Sequence, residues 1–337
     1  MKSFDLEKQA QDFYSKVPVI VLGSGASAAH GMSGMNGLAE HLIKNTDIGG
    51  LSDDESKVWL AFCNKLNAGI DLERALHEVD VSKNLTDKII RSTWSLINQE
   101  DRGVFYEVVN NGKDFPLTRL LDHMFRTSSK RLSIVTTNYD RLAEYACDKG
   151  GFNYFTGFKY GYLRRVARPG EFKCQKMVNI WKVHGSIDWF QSSSGDTVSI
   201  SGIDRIPENY IPQIVTPGSV KYQKTHHEPF RSTISNADDA VNDANSYLCI
   251  GYGFNDEHIQ PKMISKCRDR SSCITIVTRS ISEMTKNLIL GNSGMKYLAI
   301  ERGDVDDRSV VYSSMIDTPL QVEKNIWSLE GYLSIVM

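Results

Sequence analysis

The chain has 337 residues, 41% hydrophobic and 24% charged, with a formal net charge of −2. That length accommodates one large domain or two modest ones, and the composition is that of a soluble globular protein. The near-zero charge excludes a general nucleic-acid binder, and no run of about 18 apolar residues is present to cross a membrane.

The N-terminal stretch MKSFDLEKQAQDFYSK mixes acids and bases without an apolar core and does not read as a secretory signal. Cys63, Cys147, Cys174, Cys249, Cys267 and Cys273 include no C-x-x-C pair. This points to reduced thiols in a cytoplasmic protein and away from a tetrahedral zinc site.

Residues 4–16 have the spacing of a short amphipathic helix, set apart here as an N-terminal helix over 1–16. Val19-Ile20-Val21-Leu22 then predicts a buried strand, Gly23-Ser24-Gly25 a tight turn, and Ala26-Ser27-Ala28-Ala29 a helix start. Such a turn aims backbone N–H groups and the positive end of a helix at one point, which suits a phosphate. The glycines would let a pyrophosphate approach the backbone, although Ala28 stands where G-x-G-x-x-G has its third glycine.

Asn36–Lys44, Leu51–Asn67, Asp71–Val79 and Leu85–Asn98 all read as helical. Phe115-Pro116-Leu117 opens a further helix with the apolar stripe Leu117, Leu120, Leu121, Met124 and Phe125. Residues from about 45 to 126 thus form a helical insertion between the first two strands, placed over the glycine turn.

The remaining strands end in polar residues. Leu132–Val135 runs into Thr136-Thr137-Asn138-Tyr139-Asp140, followed by a helix over Arg141–Cys147. Val178–Val183 runs into His184-Gly185-Ser186, and Ile211–Val215 into Thr216-Pro217-Gly218. After a helix over Ala237–Ala244, Tyr247–Ile250 leads into Gly251-Tyr252-Gly253-Phe254-Asn255-Asp256. Ile274–Val277 leads into Thr278-Arg279-Ser280, and Tyr297–Ile300 reads as a seventh strand. Gln191–Gly202 reads as a hairpin or mobile loop. The alternation predicts an α/β fold: a Rossmann-like, mostly parallel sheet with helices on both faces, plus the helical insertion module. The main domain spans 17–300 and a C-terminal segment 301–337.

Open α/β sheets bind ligands at the carboxyl ends of their strands, so Asn138, Asp140, His184 and the Gly251-Tyr252-Gly253 turn are the candidate groups. Each also has a structural reading: Asn138 as a helix cap, Asp140 as a partner of Arg141 or another base, His184 as a satisfied core residue. His226-His227-Glu228 reads as a surface loop or a substrate-side contact rather than a metal site. Arg164-Arg165-Val166-Ala167-Arg168 reads as a solvated face, or a contact for a phosphate or a partner.

Taken in order, GSGAS at 23–27, TTNYD at 136–140, VHG at 183–185 and GYGFND at 251–256 resemble the sirtuin-like (silent-information-regulator-like) NAD-consuming family. The resemblance covers roughly residues 17–280. It implies that Gly23, Ser24, Gly25, Ala26 and Ser27 hold the dinucleotide phosphates. It also implies that Asn138 and His184 are catalytic at the nicotinamide ribose, that Asp140 serves the nicotinamide end, and that Gly251, Tyr252 and Gly253 contact the adenosine half. NAD is then the substrate.

Protein-deacylating sirtuins carry a four-cysteine zinc module between the histidine and the later glycine motif. Here that interval holds Cys249 alone, so no metal and no acyl-lysine groove are expected. Gly31-Met32-Ser33-Gly34-Met35-Asn36 stands in place of the family's G-I-P-D-F-R run. The TTNYD and GYGFND segments look like the zinc-free bacterial branch that hydrolyses NAD in antiphage defence. That branch implies an NAD+ glycohydrolase giving nicotinamide and ADP-ribose; the alternatives are an NAD or ADP-ribose sensor and an NAD-dependent protein deacylase. It further implies a homo-oligomer and a ring-forming HerA-type ATPase as partner, with no membrane or direct nucleic-acid contact.

Overall fold

Strand β1 (Val19–Leu22) lies in the middle of the main sheet, and all four of its residues are buried. Val19 and Val21 join the core on one face, and Ile20 and Leu22 the core on the other. Covering on both sides is why this strand is continuously apolar rather than alternating. The computed structural model describes residues 4–159, 163–165, 176–216, 227–256, 259–269, 271–290 and 294–337.

β1 pairs in parallel with β2 (Arg131–Thr136) on one side, and later in the chain with β9 (Ser246–Ile250) on the other. Beyond β2 come β5 (Met177–Lys182) and β3 (Tyr154–Phe155), both parallel. Beyond β9 come β10 (Cys273–Thr278) and β11 (Lys296–Arg302), also parallel. β12 (Ser309–Ser313) and β13 (Leu320–Val322) close that edge antiparallel, completing a nine-stranded sheet among the described residues. Strand order reverses at β1, so its carboxyl end opens a crevice between the two halves of the sheet.

One expected strand belongs elsewhere. The apolar run Ile211–Val215 predicts one more strand of the parallel series, but Tyr210–Ile214 is β8 of a second, antiparallel sheet with order β4-β7-β6-β8. In that sheet β4 is Leu163–Arg165, β6 is Gly185–Ser192 and β7 is Thr197–Ile200. β6 follows β5 almost at once, leaving no room for the crossover that a parallel neighbour requires. Pro212 sits on the edge strand β8, where a missing N–H costs least. The Gln191–Gly202 stretch is the β6–β7 hairpin.

Helix α1 (Leu6–Tyr14) is capped by Asp5, whose Oδ1 accepts from Lys8 N at 3.0 Å. It packs against β9, β10 and the last helix, Leu329–Val336, rather than at a free end. The helical insertion comprises α3 (Met35–Asn45), α4 (Asp53–Asn67), α5 (Leu72–His77), α6 (Lys83–Asn111) and α7 (Pro116–Met124), preceded by the short α2 (Ser24–Ala28). Leu38, Leu42, Trp59, Phe62, Leu72, Leu76, Leu85 and Ile89 give this module a core of its own.

α6 runs well past the Asn98 at which its apolar spacing stops. Its extension is held by tertiary contacts. Buried Asp101 accepts from Arg141 N at 2.7 Å and pairs with the Arg141 guanidinium, and the Phe105 ring packs tilted against Tyr145 with centroids 5.2 Å apart. Tyr145 and Arg141 belong to α8 (Leu142–Gly150) and the loop before it, so the insertion is bolted to the strand end that carries Asn138.

Candidate functional site

The loops after β1, β2, β5 and β9 meet around one cleft of about 210 Å³, closed on its far side by α3, α5 and α6. Gly23, Ser24, Ser27, Asn138, Asp140, His184, Tyr252 and Gly253 line it, together with Glu73 of α5 and Ile97 of α6. Gly25, Ala26 and Gly251, also expected in the site, lie behind this lining.

The glycines of the first and last loops have a different task from the one the motif suggested. Gly23 N donates to Ile250 O at 3.1 Å and Gly25 N to Gly251 O at 3.0 Å. Ala26 N donates to Gly23 O at 3.0 Å. These N–H groups are therefore committed to the fold rather than presented to an anion. A Cβ on Gly23 would lie 2.4 Å from Gly251 O, and one on Gly251, where φ is +56°, 2.3 Å from Ala26 N. The two loops dock backbone to backbone, which only glycine permits.

Asn138 is fixed by the same loop. Its Nδ2 donates to Gly23 O at 2.9 Å and to Ser27 Oγ at 2.9 Å. A flipped amide would set its oxygen against the Gly23 carbonyl, so the orientation is determined. With both amide hydrogens used, Oδ1 is the atom Asn138 can turn to a ligand, as an acceptor.

Ser27 Oγ in turn donates to Asp140 Oδ2 at 2.6 Å, while Asp140 Oδ1 accepts from Leu142 N at 3.1 Å. Asp140 thus holds the first N–H of α8 and anchors Ser27. Burial pushes its carboxyl above the ordinary range, against the pull of the Lys182 ammonium and the Ser27 hydroxyl. Lys182, fully buried at the end of β5, donates to the Asp140 carbonyl, to Glu144 Oε1 at 2.8 Å and to Ser186 Oγ at 2.8 Å.

His184 lies between β5 and β6. The glycine after it has φ +85°, and a Cβ there would stand 2.0 Å from Gln213 O, so the turn between the two sheets requires glycine at 185. His184 Nε2 lies 2.8 Å from Asp256 Oδ2, and both side chains are nearly buried. Asp256 Oδ1 accepts from Ile259 N at 2.9 Å, just ahead of the helix Gln260–Arg268.

The chain reaches Asp256 through Phe254, a buried non-glycine residue at φ +60°, packed on Tyr252 with ring centroids 4.9 Å apart. A left-handed conformation at a bulky residue is costly and persists only where the surroundings enforce it. Tyr252 is 5% exposed, and its hydroxyl has no hydrogen-bond partner among the described residues. Burial, followed by the Asp256 carboxylate, raises its phenol well above the ordinary range.

Sequence reasoning did not single out Asp256 or Glu73. The first lay inside GYGFND without a sign that it folds back to the histidine. The second sits on a short helix of the insertion, where nothing in the local pattern separates it from a solvated residue. Among the described residues no cluster of three His, Cys, Asp or Glu could hold a metal ion, and no helix is long and apolar enough to cross a membrane. His226, Cys174, Pro217, Gly218 and Val166-Ala167-Arg168 of the basic cluster lie outside the described residues.

Residues 132–287 match the model of the family described as the SIR2-like domain. No curated protein matches the chain. Solved structures similar to it include a Sir2 homologue variant in complex with ADP-ribose, 16% identical over 84% of this chain and 88% of that one, with a TM-score of 0.47. A Sir2 homologue–NAD complex is 14% identical over 84% and 85% of the two chains, TM-score 0.39. A Sir2 bound to acetylated peptide is 13% identical over 82% and 87%, TM-score 0.39.

Proposed function

We propose that this chain, whose residues 132–287 match the SIR2-like domain family, is an NAD+ glycohydrolase that splits the nicotinamide–ribose bond with water and releases nicotinamide and ADP-ribose. The observation that carries this reading is that Asn138, held by Ser27 and Gly23, and His184, paired with Asp256, line the same cleft.

The chemistry follows from those groups. The pyridinium is a good leaving group because it departs neutral, taking the electron pair of the C1′–N bond. The transition state is oxocarbenium-like, as in glycoside cleavage. Asn138 Oδ1 accepts a hydrogen bond from the attacking water or a ribose hydroxyl. His184 takes the proton as the C–O bond forms. Glu73 and Asp256 line the cleft, and no lysine or arginine does among the described residues, an environment that favours a positively charged ring and sugar. Ser24, exposed at the start of α2, is the part of the glycine turn assigned to the phosphates.

We place this activity in antiphage defence by NAD depletion, on the strength of the TTNYD and GYGFND segments, with restraint supplied by self-association or by a ring-forming ATPase. Incubating the purified protein with NAD alone and identifying products by mass spectrometry tests the enzymatic reading. Nicotinamide and ADP-ribose should accumulate, and His184→Ala should cost ~10²–10⁴ in rate. Tight binding without product makes the chain a sensor, and release of nicotinamide only with an acylated peptide makes it a deacylase. Either result overturns the proposal.

A further inference from the structure

One wall of the cleft is a loop with little packing of its own. Residues 29–34 join α2 to α3, and Met32, Ser33, Gly34 and Met35 line the cleft. Nothing lies within 4 Å of a Cβ built on Gly31, at φ +89°, or on Gly34. Backbone hydrogen bonds hold the loop at its two ends. Gly31 N donates to Ala28 O at 3.0 Å and Met32 N to Ser27 O at 3.3 Å, while Gly34 O accepts from Leu38 N of α3 at 3.0 Å. Ser33 stands between these anchors. Its N donates to Glu100 Oε2 at 2.9 Å and its Oγ to Glu100 Oε1 at 2.5 Å.

Glu100 belongs to α6 and is not among the described residues that line the cleft. The two donors of Ser33 are thus committed to the helix behind the wall rather than offered to a ligand. Glu100 follows Ile97, which does line the cleft, by three residues, and precedes Asp101, which holds the main chain and guanidinium of Arg141. Positions i, i+3 and i+4 share one face of a helix. A single turn of α6 therefore grips two walls: the α2–α3 loop through Glu100, and the loop carrying Asn138 through Asp101.

We infer that Glu100 is a positioning residue that sets the α2–α3 loop as a closed wall before any ligand arrives. Without the tether, residue 33 keeps its neighbours' backbone anchors but samples open conformations. Binding must then order the wall, and the apparent affinity falls by the fraction of molecules in which it is already closed. The groups assigned to the chemistry are untouched. That the ligand is NAD rests on the function proposed above; the tether does not.

Three variants of the full chain separate these parts. Glu100→Ala removes both acceptors. Glu100→Gln keeps an acceptor for Ser33 N and offers an amide N–H to the hydroxyl oxygen. Ser33→Ala loses the hydroxyl bond alone and leaves α6 unaltered, so it serves even if Glu100→Ala disturbs the helix. Amide hydrogen exchange at Ser33 reads the tether, and steady-state NAD kinetics read its consequence. In Glu100→Ala, exchange should quicken at least ~10-fold and KM rise roughly 5–50-fold, with kcat within a factor of about three. Ser33→Ala should fall between that variant and the wild type, and Glu100→Gln should recover most of both losses. Exchange in Glu100→Ala as slow as in the wild type overturns the tether, and so does a Glu100→Gln variant with no recovery. Faster exchange with an unmoved KM overturns its role in binding. Proteins that show the exchange differences but never turn over NAD support the tether and sink the NAD-cleavage reading instead.

Discussion

Gly23 and Gly251 press so closely together that a Cβ on the first would stand 2.4 Å from the carbonyl oxygen of the second. The atoms in the way are backbone, so no side chain can move aside. Gly23→Ala should separate the loops after β1 and β9, destabilise the protein by about 1–3 kcal/mol and weaken NAD turnover together. Gly103 in α6 is the control, because nothing lies within 4 Å of a Cβ built there. Gly103→Ala should stabilise by about 0.5–1 kcal/mol. Chemical denaturation of both variants is the measurement, and equal effects would remove the docking argument.

Ser27 offers a choice between two roles. A serine that held a dinucleotide phosphate would, on replacement by alanine, raise KM. The structure spends its hydroxyl on Asn138 and Asp140 instead, at 2.9 Å and 2.6 Å. Ser27→Ala should therefore lower kcat by ~10–100-fold through a loosened Asn138, with little change in KM. Initial-rate kinetics over a range of NAD concentrations separate the two.

The contrast between those glycine and serine roles marks how far the residues alone carry the reading. β1, β2, β5, β9 and β10 fall within a residue or so of their apolar runs, because strands buried on both faces leave an unmistakable pattern. β8 has an apolar run too, yet its sheet was decided by the short β5–β6 connection, which no window over residues 211–215 contains. The far half of α6 adds only Val104 and Val108 to the apolar stripe, and much of its anchoring comes from Arg141 and Tyr145, residues distant in sequence. The same holds for Asp256, visible in a motif but meaningful only once the fold brings His184 to it.

Tyr252 should behave asymmetrically. Its buried hydroxyl has no partner among the described residues, so Tyr252→Phe loses no hydrogen bond to any of them. Its thermal stability should be unchanged or slightly higher. If that hydroxyl meets the bound dinucleotide, KM for NAD rises by roughly 3–10-fold, the worth of one hydrogen bond. Calorimetric titration with NAD on both proteins checks this; unchanged affinity would remove Tyr252 from the binding surface.

His30 gives the fold a pH dependence. Burial, with a smaller contribution from Lys113, lowers its imidazole from the ordinary 6.5 to about 4, and its ring lies 4.7 Å from Phe115. The unfolded chain thus binds a proton that the folded one refuses between those values. Stability from this group is fully present above pH 6.5 and drains away as pH falls toward about 4. The loss is of order 2 kcal/mol. His30→Phe should flatten the fall in Tm between pH 7 and pH 4.5, and a variant as acid-sensitive as the parent would place the effect elsewhere.

Lys182 and Glu144 form a buried pair at 2.8 Å directly beneath the loop that carries Asn138 and Asp140. Breaking such a pair strands a charge, whereas replacing both partners by apolar groups is often neutral. Lys182→Met alone should cost about 3–5 kcal/mol, because Glu144 is left without its ammonium. The double change Lys182→Met with Glu144→Met should recover most of that stability. It should not recover activity, because the Lys182 ammonium also holds the Asp140 carbonyl of the β2 loop and the Ser186 hydroxyl at the start of β6. Denaturation curves and NAD turnover measured on all three proteins decide the matter. A double variant that regained stability and full turnover together would mean that the pair supports the fold and has no part in ordering the cleft.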